Sequence, residues 1–494
     1  MKDKSKVDVH SNVHSNRELN IWEALLPVIA LVGMLFYNVF YAFGDDALSG
    51  SNQFILLLGG AIAAIVGYFN KVRIDSMFET VAENLKSTTT AILILLMVGA
   101  LAGTWMVSGI IPTMIYYGMQ ILNPTIFLAS CVIICCVISI ATGSSWTTSA
   151  TVGIALIGIA GALDISLGMT AGAILSGAYF GDKLSPLSDT TNLAPAMAGT
   201  DLFTHIRYMT LTTVPTIVIT ILVFIVIGLN ISTQGSIDTE SILTSIDATF
   251  NINPILFVVP LLVIVLIIKK TSPLVALLIG TLLAGLAALI FQPDIVAVIG
   301  GSETLTFESG YKGIMNAITV DTAVVTDNET LADLFSAGGM SGMLGTIWLI
   351  ICAMVFGGIM DAIGALKVIT RSLLRLFHTT FGLFASTVAS CLALNVTASD
   401  QYLAIVVPGK MFAKAYEDKG LAPENLSRTL EDSGTVTSVL IPWNTCGAYH
   451  SGVLGVSTMD YFVYAIFNWL SPFTTLFFAA FSIKIKMLRD TNKE

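Results

Sequence analysis

Two polar runs that interrupt apolar sequence carry the side chains best suited to chemistry. The first run, residues 181–192, contains Asp182 and Asp189, and the second, residues 431–445, contains Asp432. An ionisable group at membrane depth is costly and usually marks an ion pathway or a substrate site. We therefore predict that these three carboxylates couple a proton to a transported cation.

The residues around the first pair of carboxylates predict an oxygen-rich site. Asp182 and Asp189 would share one face of a continuous helix, but Pro186 between them removes a backbone donor and breaks that helix. Unwound backbone at this depth is tolerated only where it lines a cavity or is covered by protein. Carbonyls, carboxylates and hydroxyls would then be available, and oxygen ligands suit hard cations such as Na⁺. The hydroxyls in this run belong to Ser185, Ser188, Thr190 and Thr191.

Competition for one carboxylate is sufficient for ion exchange. Desolvation in the membrane favours the protonated carboxyl group, whereas a bound cation favours the ionised carboxylate. If such a site faces the two sides of the membrane in turn, Na⁺ and protons are exchanged without a separate proton channel.

The same residues also have less specialised interpretations. Asp182 could pair with the neighbouring Lys183, and Asp432 with Glu431 could be a solvated helix cap at the cytosolic mouth. Asp400 could be either a ligand or a cap at a hairpin tip. The serine and threonine hydroxyls could simply satisfy backbone groups that a helix break sets free.

Composition defines the class of protein that carries these runs. Of the 494 residues, 55% are hydrophobic and only 11% are charged, and the mean hydropathy is +0.83. Several apolar stretches are long enough to cross the hydrocarbon core of a bilayer, which requires about 20 residues. The sequence therefore predicts an all-α polytopic membrane protein. The net charge of −10, without a clustered basic face, argues against nucleic-acid binding. The cysteines and histidines show no metal-ligand spacing, so no cofactor is expected.

The distribution of lysine and arginine predicts the orientation, because cytoplasmic loops are enriched in these residues. We predict cytosolic tails at residues 1–20 and 485–494, and extracytoplasmic loops at residues 231–253 and 292–342. The protein would then be a multi-pass protein of the inner (plasma) membrane with both termini inside.

The two polar runs occupy matching places in two halves, residues 21–230 and 254–484. In each half an apolar pair interrupted by small polar residues precedes the run, and the loop charges give the two halves opposite orientations. We predict about ten transmembrane helices, two re-entrant hairpins and two broken helices in an inverted repeat, an arrangement typical of secondary transporters. The sequence alignment pairs Ser145 with Ser399, needs an insertion of about four residues before the second run, and brings Trp443 near Asp189.

The residues of both runs resemble the NhaC-type sodium/proton antiporters. The matching segments are GDKLSPLSDTTNLA from Gly181, LEDSGT from Leu430 and IPWNTCG from Ile441. The resemblance extends from about residue 22 to residue 483 and leaves only the tails aside.

This resemblance implies membership of the ion-transporter superfamily, whose dicarboxylate carriers have two re-entrant hairpins and two broken helices, form homodimers and move a transport domain like an elevator. It implies Na⁺/H⁺ exchange rather than an enzymatic activity, with Na⁺ as the transported ion. The residues expected to bind Na⁺ directly are Asp189, Thr190 and Asn192. Other residues expected around the cation or substrate are Ser144, Ser145, Ser185, Ser188, Thr191, Thr397, Ser399, Asp400, Thr435, Asn444 and Thr445.

Three other functions would use the same residues. Some close relatives are described as malate/lactate antiporters coupled to both ions, and hydroxyls with helix N-termini could bind such an anion beside the cation. Only Lys183 is obviously placed to clamp a carboxylate. An intramembrane aspartyl protease would pair Asp182 with Asp432, but it would not need two inverted sets of polar breaks. A passive channel would conduct cations without proton counterflow.

Overall fold

The chain is almost wholly helical over the residues that the structure, a computed structural model, describes: 18–43, 50–121, 123–230, 239–326, 335–375 and 379–488. Most of the N-terminal tail predicted from the sequence and the end of the C-terminal tail lie outside these residues. A short antiparallel pair, β1 (Thr322–Ala323) and β2 (Ser336–Ala337), lies in the predicted long loop.

Within its described residues, the first half of the chain contains nine α-helices. They are α1 (Ile21–Tyr37), α2 (Ser51–Phe69), α3 (Ile74–Val107), α4 (Ile110–Ile121), α5 (Pro124–Thr142), α6 (Ser145–Ala162), α7 (Leu167–Leu184), α8 (Asp189–Ala198) and α9 (Leu202–Asn230). We call α5 with α6 the first hairpin, and residues 185–188, between α7 and α8, the first break.

A connecting region leads to the second half. The helices are α10 (Thr239–Thr249), α11 (Pro254–Ile268), α12 (Pro273–Phe291), α13 (Pro293–Ile299), α14 (Phe307–Thr319), α15 (Gly339–Ala362), α16 (Ala365–Arg375), α17 (Thr380–Thr397), α18 (Gln401–Asp418), α19 (Pro423–Leu430), α20 (Thr445–Leu454), α21 (Thr458–Phe462) and α22 (Ile466–Ala480). A π-helical turn, Glu431–Thr435, continues α19. We call α17 with α18 the second hairpin, and residues 441–444 the second break.

These helices confirm the predicted fold class. Nine helices within the described ranges are long and apolar enough to cross a membrane, and a tenth span results if α10 and α11, which are bent by 85°, are taken together. Pro27, Pro195 and Pro472 lie inside helices, but the first break places Pro186 outside any helix, as the sequence predicts.

A constant spacing along the chain relates the two hairpins and the two breaks. Residues with the same backbone role recur at one fixed separation, from the N-cap of α5 to the C-cap of α8. The pairs are Asn123 and Thr379, Gly143 and Ser399, Ser144 and Asp400, Ser188 and Asn444, and Gly199 and Gly455. The repeat therefore contains no insertion over this stretch.

This spacing corrects the sequence alignment. The pairing of Ser145 with Ser399 was wrong, and so was the insertion before the second run. Gly143 and Ser399 are the equivalent residues, because both have left-handed backbone, with φ of 71° and 58°. Trp443 is therefore equivalent to Leu187, and Thr445 is equivalent to Asp189. The alignment was wrong because the left-handed backbone defines the hairpin tip. Ser399 has this conformation, whereas Ser145 lies in the first turn of α6.

The first hairpin packs closely on α7. A Cβ atom at Gly181 would lie 2.2 Å from the carbonyl carbon of Ser139, so glycine is required for this approach. The Ser139 hydroxyl donates to the Gly177 carbonyl at 3.1 Å and accepts from the Gly181 amide at 3.0 Å. In the second half the equivalent residue is Asn395, whose side-chain amide donates to the Gly434 carbonyl at 2.8 Å. Each hairpin is thus fixed to the helix that precedes a break.

Candidate functional site

The tip of the first hairpin lies against the first break. Gly143 is left-handed, and a Cβ atom there would lie 2.6 Å from the Leu187 Cβ and 2.9 Å from the Ser188 nitrogen. Only glycine meets both requirements without strain. Ser144 then caps α6, its hydroxyl accepting from the Thr147 amide at 3.2 Å. The close fit brings the N-terminus of α6 to the C-terminal end of α7.

Asp182 is held at this junction by a single residue of the hairpin tip. The Ser145 amide donates to Oδ1 of Asp182 at 3.0 Å, and the Ser145 hydroxyl donates to Oδ2. Asp182 as a whole is 6% exposed. Donors on both oxygens fix its orientation and stabilise its ionised form.

The hydroxyls of the first run satisfy the backbone where α7 ends. The Asp182 carbonyl accepts from Ser188 at 3.4 Å, from Thr190 at 3.1 Å and from Thr191 at 2.5 Å. A hydroxyl group that donates a hydrogen bond still has the lone pairs of its oxygen. Ser188 and Thr190 also line the cavity described below, so those lone pairs remain available to a cation.

Two other residues of the run hold the backbone of the break. The Ser185 hydroxyl donates to the Ile140 carbonyl at 2.8 Å. The Asn192 side-chain amide donates to the carbonyls of Pro186 at 3.0 Å and Ser188 at 2.7 Å. Neither Ser185 nor Asn192 lines the cavity. A direct role for them in cation binding stays a prediction.

A cavity of about 510 Å³ opens onto the junction. The tip of the first hairpin, the first break, α3 and the loop between α11 and α12 form its walls, and the second hairpin and α20 complete it. The acidic and basic side chains of its lining are three carboxylates, Asp182, Asp189 and Asp400, and one amine, Lys270. This excess of carboxylates favours a cation over an anion. Asp189 is exposed to the cavity at the first turn of α8.

The second half contributes fewer groups to this cavity. Asp400 caps α18, its Oδ1 accepting from the Leu403 amide at 2.9 Å, and its side chain faces the cavity together with Thr445. Ser399 is buried behind it, and its carbonyl accepts from the Thr445 amide at 3.0 Å. The capping and ligand roles proposed for Asp400 are therefore compatible.

Three predicted residues of the second half point away from the cavity. The Thr397 hydroxyl donates to the Ala393 carbonyl at 2.8 Å. Asn444 caps α20 and donates to the Asn395 carbonyl at 3.1 Å. Thr435 is fully buried in the π-helical turn. None of the three is in the cavity lining, and their binding roles stay predictions.

Asp432 is not at a solvated mouth, and Lys183 does not pair with its neighbour Asp182. Lys183 Nζ instead lies 2.6 Å from Asp432 Oδ1, and both side chains are fully buried. The Thr475 hydroxyl donates to the other Asp432 oxygen, and Lys183 donates to the Ser471 hydroxyl at 3.2 Å. This ion pair joins the two polar runs behind the cavity, so neither member lines it.

Sequence reasoning missed several residues around the cavity. Trp146 and Tyr449 stack with ring centroids 3.9 Å apart and cover the site from the α20 side. Gln401 accepts at its side-chain oxygen from Ser438 at 3.0 Å and from the Cys446 thiol at 2.6 Å. Trp146 belongs to the polar tip of the first hairpin, but its stacking partner Tyr449 lies in the other half of the chain. No local sequence pattern predicts that contact.

The donor set suits an alkali cation better than a transition metal. No three histidine, cysteine, aspartate or glutamate side chains converge on one point anywhere in the described ranges. A cation at the junction would be bound by a carboxylate together with hydroxyl and carbonyl oxygens, the neutral ligands that hard cations accept.

Two hairpins whose tips meet two helix breaks beside a carboxylate-lined cavity define a secondary transporter. The comparisons with known proteins agree with this class. The Na⁺/H⁺ antiporter family model matches residues 177–483, and the chain belongs to that family.

Relatives cover nearly the whole chain. The Na⁺/H⁺ antiporter NhaC of Alkalihalophilus pseudofirmus is 37% identical over 424 residues, which are 86% of this chain and 89% of that protein. An uncharacterised Na⁺/H⁺ antiporter of Haemophilus influenzae is 34% identical over 96% of this chain and 99% of its own length. The malate-2H⁺/Na⁺-lactate antiporter of Bacillus subtilis is 37% identical over 85% of this chain and 86% of its own.

Proposed function

We propose that this chain exchanges Na⁺ for protons across the plasma membrane, with Asp182 and Asp189 as the groups for which the two ions compete. The observation that carries the proposal is the cavity that both carboxylates line beside hydroxyls of the first break, with Asp182 held there by Ser145. The family membership supports the same function.

The two carboxylates have different tasks in this exchange. Asp189 is exposed, so it is the first of the two carboxylates to contact an ion that enters the cavity. Asp182 is buried and held by Ser145, so it binds a dehydrated ion in a fixed orientation. Na⁺ entering from water neutralises the buried carboxylate in place of a proton. Either ion neutralises the Asp182 carboxylate, and an uncompensated charge is costly in the membrane. The site therefore moves across the membrane when it holds Na⁺ or a proton, but not when it is empty.

The orientation proposed from loop charges gives this cavity a direction. Lys270 lines the cavity from the loop between α11 and α12, and loops rich in lysine lie in the cytosol. The cavity then faces the cytosol, both termini lie inside, and Na⁺ enters from the cytosolic side. We also propose a homodimer, which rests on the family resemblance alone.

A second candidate function is exchange of organic acids together with both ions. It is favoured by the 37% identity to the malate-2H⁺/Na⁺-lactate antiporter. Hydroxyls and helix N-termini at the hairpin tips could bind a carboxylate. The three carboxylates of the lining weigh against it, because only Lys270 in that lining is cationic.

Transport in proteoliposomes tests both functions. An imposed Na⁺ gradient with an internal pH dye should produce proton movement without organic acids. Replacing Asp189 by Asn should abolish this movement, whereas the exposed Glu303→Gln change, which removes the same charge outside the cavity, should leave it intact. Proton movement that required malate or lactate would favour the organic-acid exchanger instead.

A further inference from the structure

The two hairpin tips present equivalent residues to the cavity. The constant spacing that pairs Ser144 with Asp400 also pairs Trp146 with Tyr402, and in each tip the helix cap is followed by a polar residue and then by an aromatic ring. All six of these residues line the cavity: Ser144, Ser145 and Trp146 in the first tip, and Asp400, Gln401 and Tyr402 in the second. Two aromatic rings therefore reach the cavity from the two halves of the chain.

Both rings offer surface to a ligand in the cavity. Tyr402 is 46% exposed, so a large part of this side chain is not covered by protein. Trp146 is partly exposed and is held in place by its stacking on Tyr449, with ring centroids 3.9 Å apart. Na⁺ is a hard cation that is bound by oxygen ligands. The exchange of Na⁺ for protons therefore gives these two rings no task.

The size and the charge of the cavity describe one kind of ligand together. Its volume of about 510 Å³ lies in the range of sites for small organic molecules, about 300–1,000 Å³, and far exceeds the space that one water occupies, about 30 Å³. Apolar side chains of Ile94, Leu187 and Leu277 form part of its wall. Among the described lining residues three carboxylates outnumber one amine, so an organic cation fits this cavity better than an organic anion.

Asp400 is the carboxylate of this lining that the proposed competition between Na⁺ and protons does not use. It stands two residues before Tyr402 at the start of α18, and its Oδ1 accepts from the Leu403 amide at 2.9 Å. This hydrogen bond fixes the carboxylate beside the second tip. Organic ammonium ions bind over the faces of Trp and Tyr rings, and a nearby carboxylate adds charge attraction. The second tip supplies both features.

We propose that the cavity also binds a small organic ammonium ion in competition with Na⁺, with its charged nitrogen at Asp400 and its apolar part on the rings of Tyr402 and Trp146. The proposal rests on the proposed function and deepens it, because it names a second class of ligand for the same cavity. The ligand needs no proton of its own, so a quaternary ammonium ion qualifies, and no bond forms or breaks. Na⁺ and the organic ion compete because both are attracted by the same carboxylates.

Equilibrium dialysis of labelled benzyltrimethylammonium against the purified protein in detergent tests this assignment. The probe is permanently charged, so it cannot cross a membrane as a free base and does not disturb a pH dye. It should bind saturably, and Na⁺ should displace it. In proteoliposomes, the probe added on the same side as Na⁺ should raise the KM for Na⁺ and leave the maximal rate unchanged. Benzenesulfonate, which carries the same ring with a permanent negative charge, should have neither effect.

Variants of the second tip separate the ring from the charge. Tyr402→Ala should weaken binding of the probe about tenfold, as expected for loss of a cation–π contact shielded from water, and Tyr402→Phe should keep the wild-type affinity. Asp400→Asn retains a residue that can cap α18 but removes the charge, so it should also weaken binding about tenfold. The matched control is Tyr311→Ala on α14, which removes a 63% exposed ring outside the cavity and should change nothing.

Several outcomes would overturn the proposal. They are a lack of saturable binding, equal binding of benzenesulfonate, failure of Na⁺ to displace the probe, and wild-type affinity in Tyr402→Ala or Asp400→Asn. Sodium-driven proton movement should persist in Tyr402→Ala, which shows that this variant is folded, and weak binding in Tyr402→Phe would show that the ring is not the contact. Binding in detergent requires no transport. Wild-type protein that binds the probe but moves no proton with Na⁺ would therefore refute the proposed function and leave the organic-cation site standing.

Discussion

Ser145 donates its backbone amide to one oxygen of Asp182 and its hydroxyl to the other. The two residues belong to different elements, the tip of the first hairpin and the end of α7. The carboxylate is therefore positioned only when the hairpin is seated on the break, so the geometry of the ion site depends on the packing of these two elements.

Removing the Ser145 hydroxyl should weaken Na⁺ binding. A hydrogen bond to a charged group contributes about 1.5–3 kcal/mol, so Ser145→Ala should raise the KM for Na⁺ by about one to two orders of magnitude. The control is Ser130→Ala on the same hairpin, because that hydroxyl only donates back to the Ile126 carbonyl at 2.9 Å. Sodium-dependent proton movement over a range of Na⁺ concentrations measures both, and equal KM values would contradict the assigned contact.

The left-handed residues at the two hairpin tips should respond in opposite ways to substitution. Gly143→Ala places a Cβ atom 2.6 Å from Leu187 and also strains the backbone, so it should lower the thermal midpoint and abolish transport. Ser399→Gly should relieve about 1–2 kcal/mol of backbone strain and raise the midpoint or leave it unchanged. Thermal unfolding of the purified protein in detergent measures the two shifts. A stable, active Gly143→Ala variant would show that the tip is not seated on the break.

The buried ion pair behind the cavity should tolerate loss of both charges better than loss of one. Lys183→Met or Asp432→Leu alone leaves an uncompensated buried charge and should cost about 3–5 kcal/mol of stability. The double variant should recover much of the loss. Yield of monodisperse protein on size-exclusion chromatography compares the three variants, and additive losses would show that the two side chains do not interact.

The direction of the cavity can be measured by labelling. Ser87 is exposed on the part of α3 that lines the cavity, and the six native cysteines are buried. A membrane-impermeant maleimide should therefore modify Ser87→Cys from the side that carries the loop with Lys270, which we propose is cytosolic. The unsubstituted protein supplies the background. Modification only from the opposite side would reverse the orientation proposed from the loop charges.

The sequence predicts the helical membrane fold, the two hairpins and the two breaks, because each follows from local patterns. The length of the apolar stretches predicts the membrane spans, Pro186 predicts the first break, and the polar residues around Ser144 predict a hairpin tip. Asp182 and Asp189 could be chosen as site residues for the same reason, since acids inside apolar sequence need a special environment. Their lining of one cavity supports that choice but does not test their roles.

Contacts between distant parts of the chain could not be derived in this way. The order of residues offers Asp182 or a substrate carboxylate as the partner of Lys183, but the buried amine pairs with Asp432 of the other run. The direction of a polar side chain is equally hidden: Thr397 and Asn444 occupy the expected segments, but the backbone carbonyls of the second hairpin accept their donors. The repeat register also depended on φ angles at Gly143 and Ser399, which residue letters alone do not give.

The unbroken spacing between the two hairpins and breaks has a practical consequence for the transport cycle. The residues from α5 to α8 can be aligned with their counterparts in the second half without an insertion or a deletion, so either half can be built on the backbone of the other. If the two halves have the opposite orientations that the loop charges predict, a molecule in which they exchange their tilts opens to the other side of the membrane. A single conformation of this chain would then contain a template for its opposite-facing state.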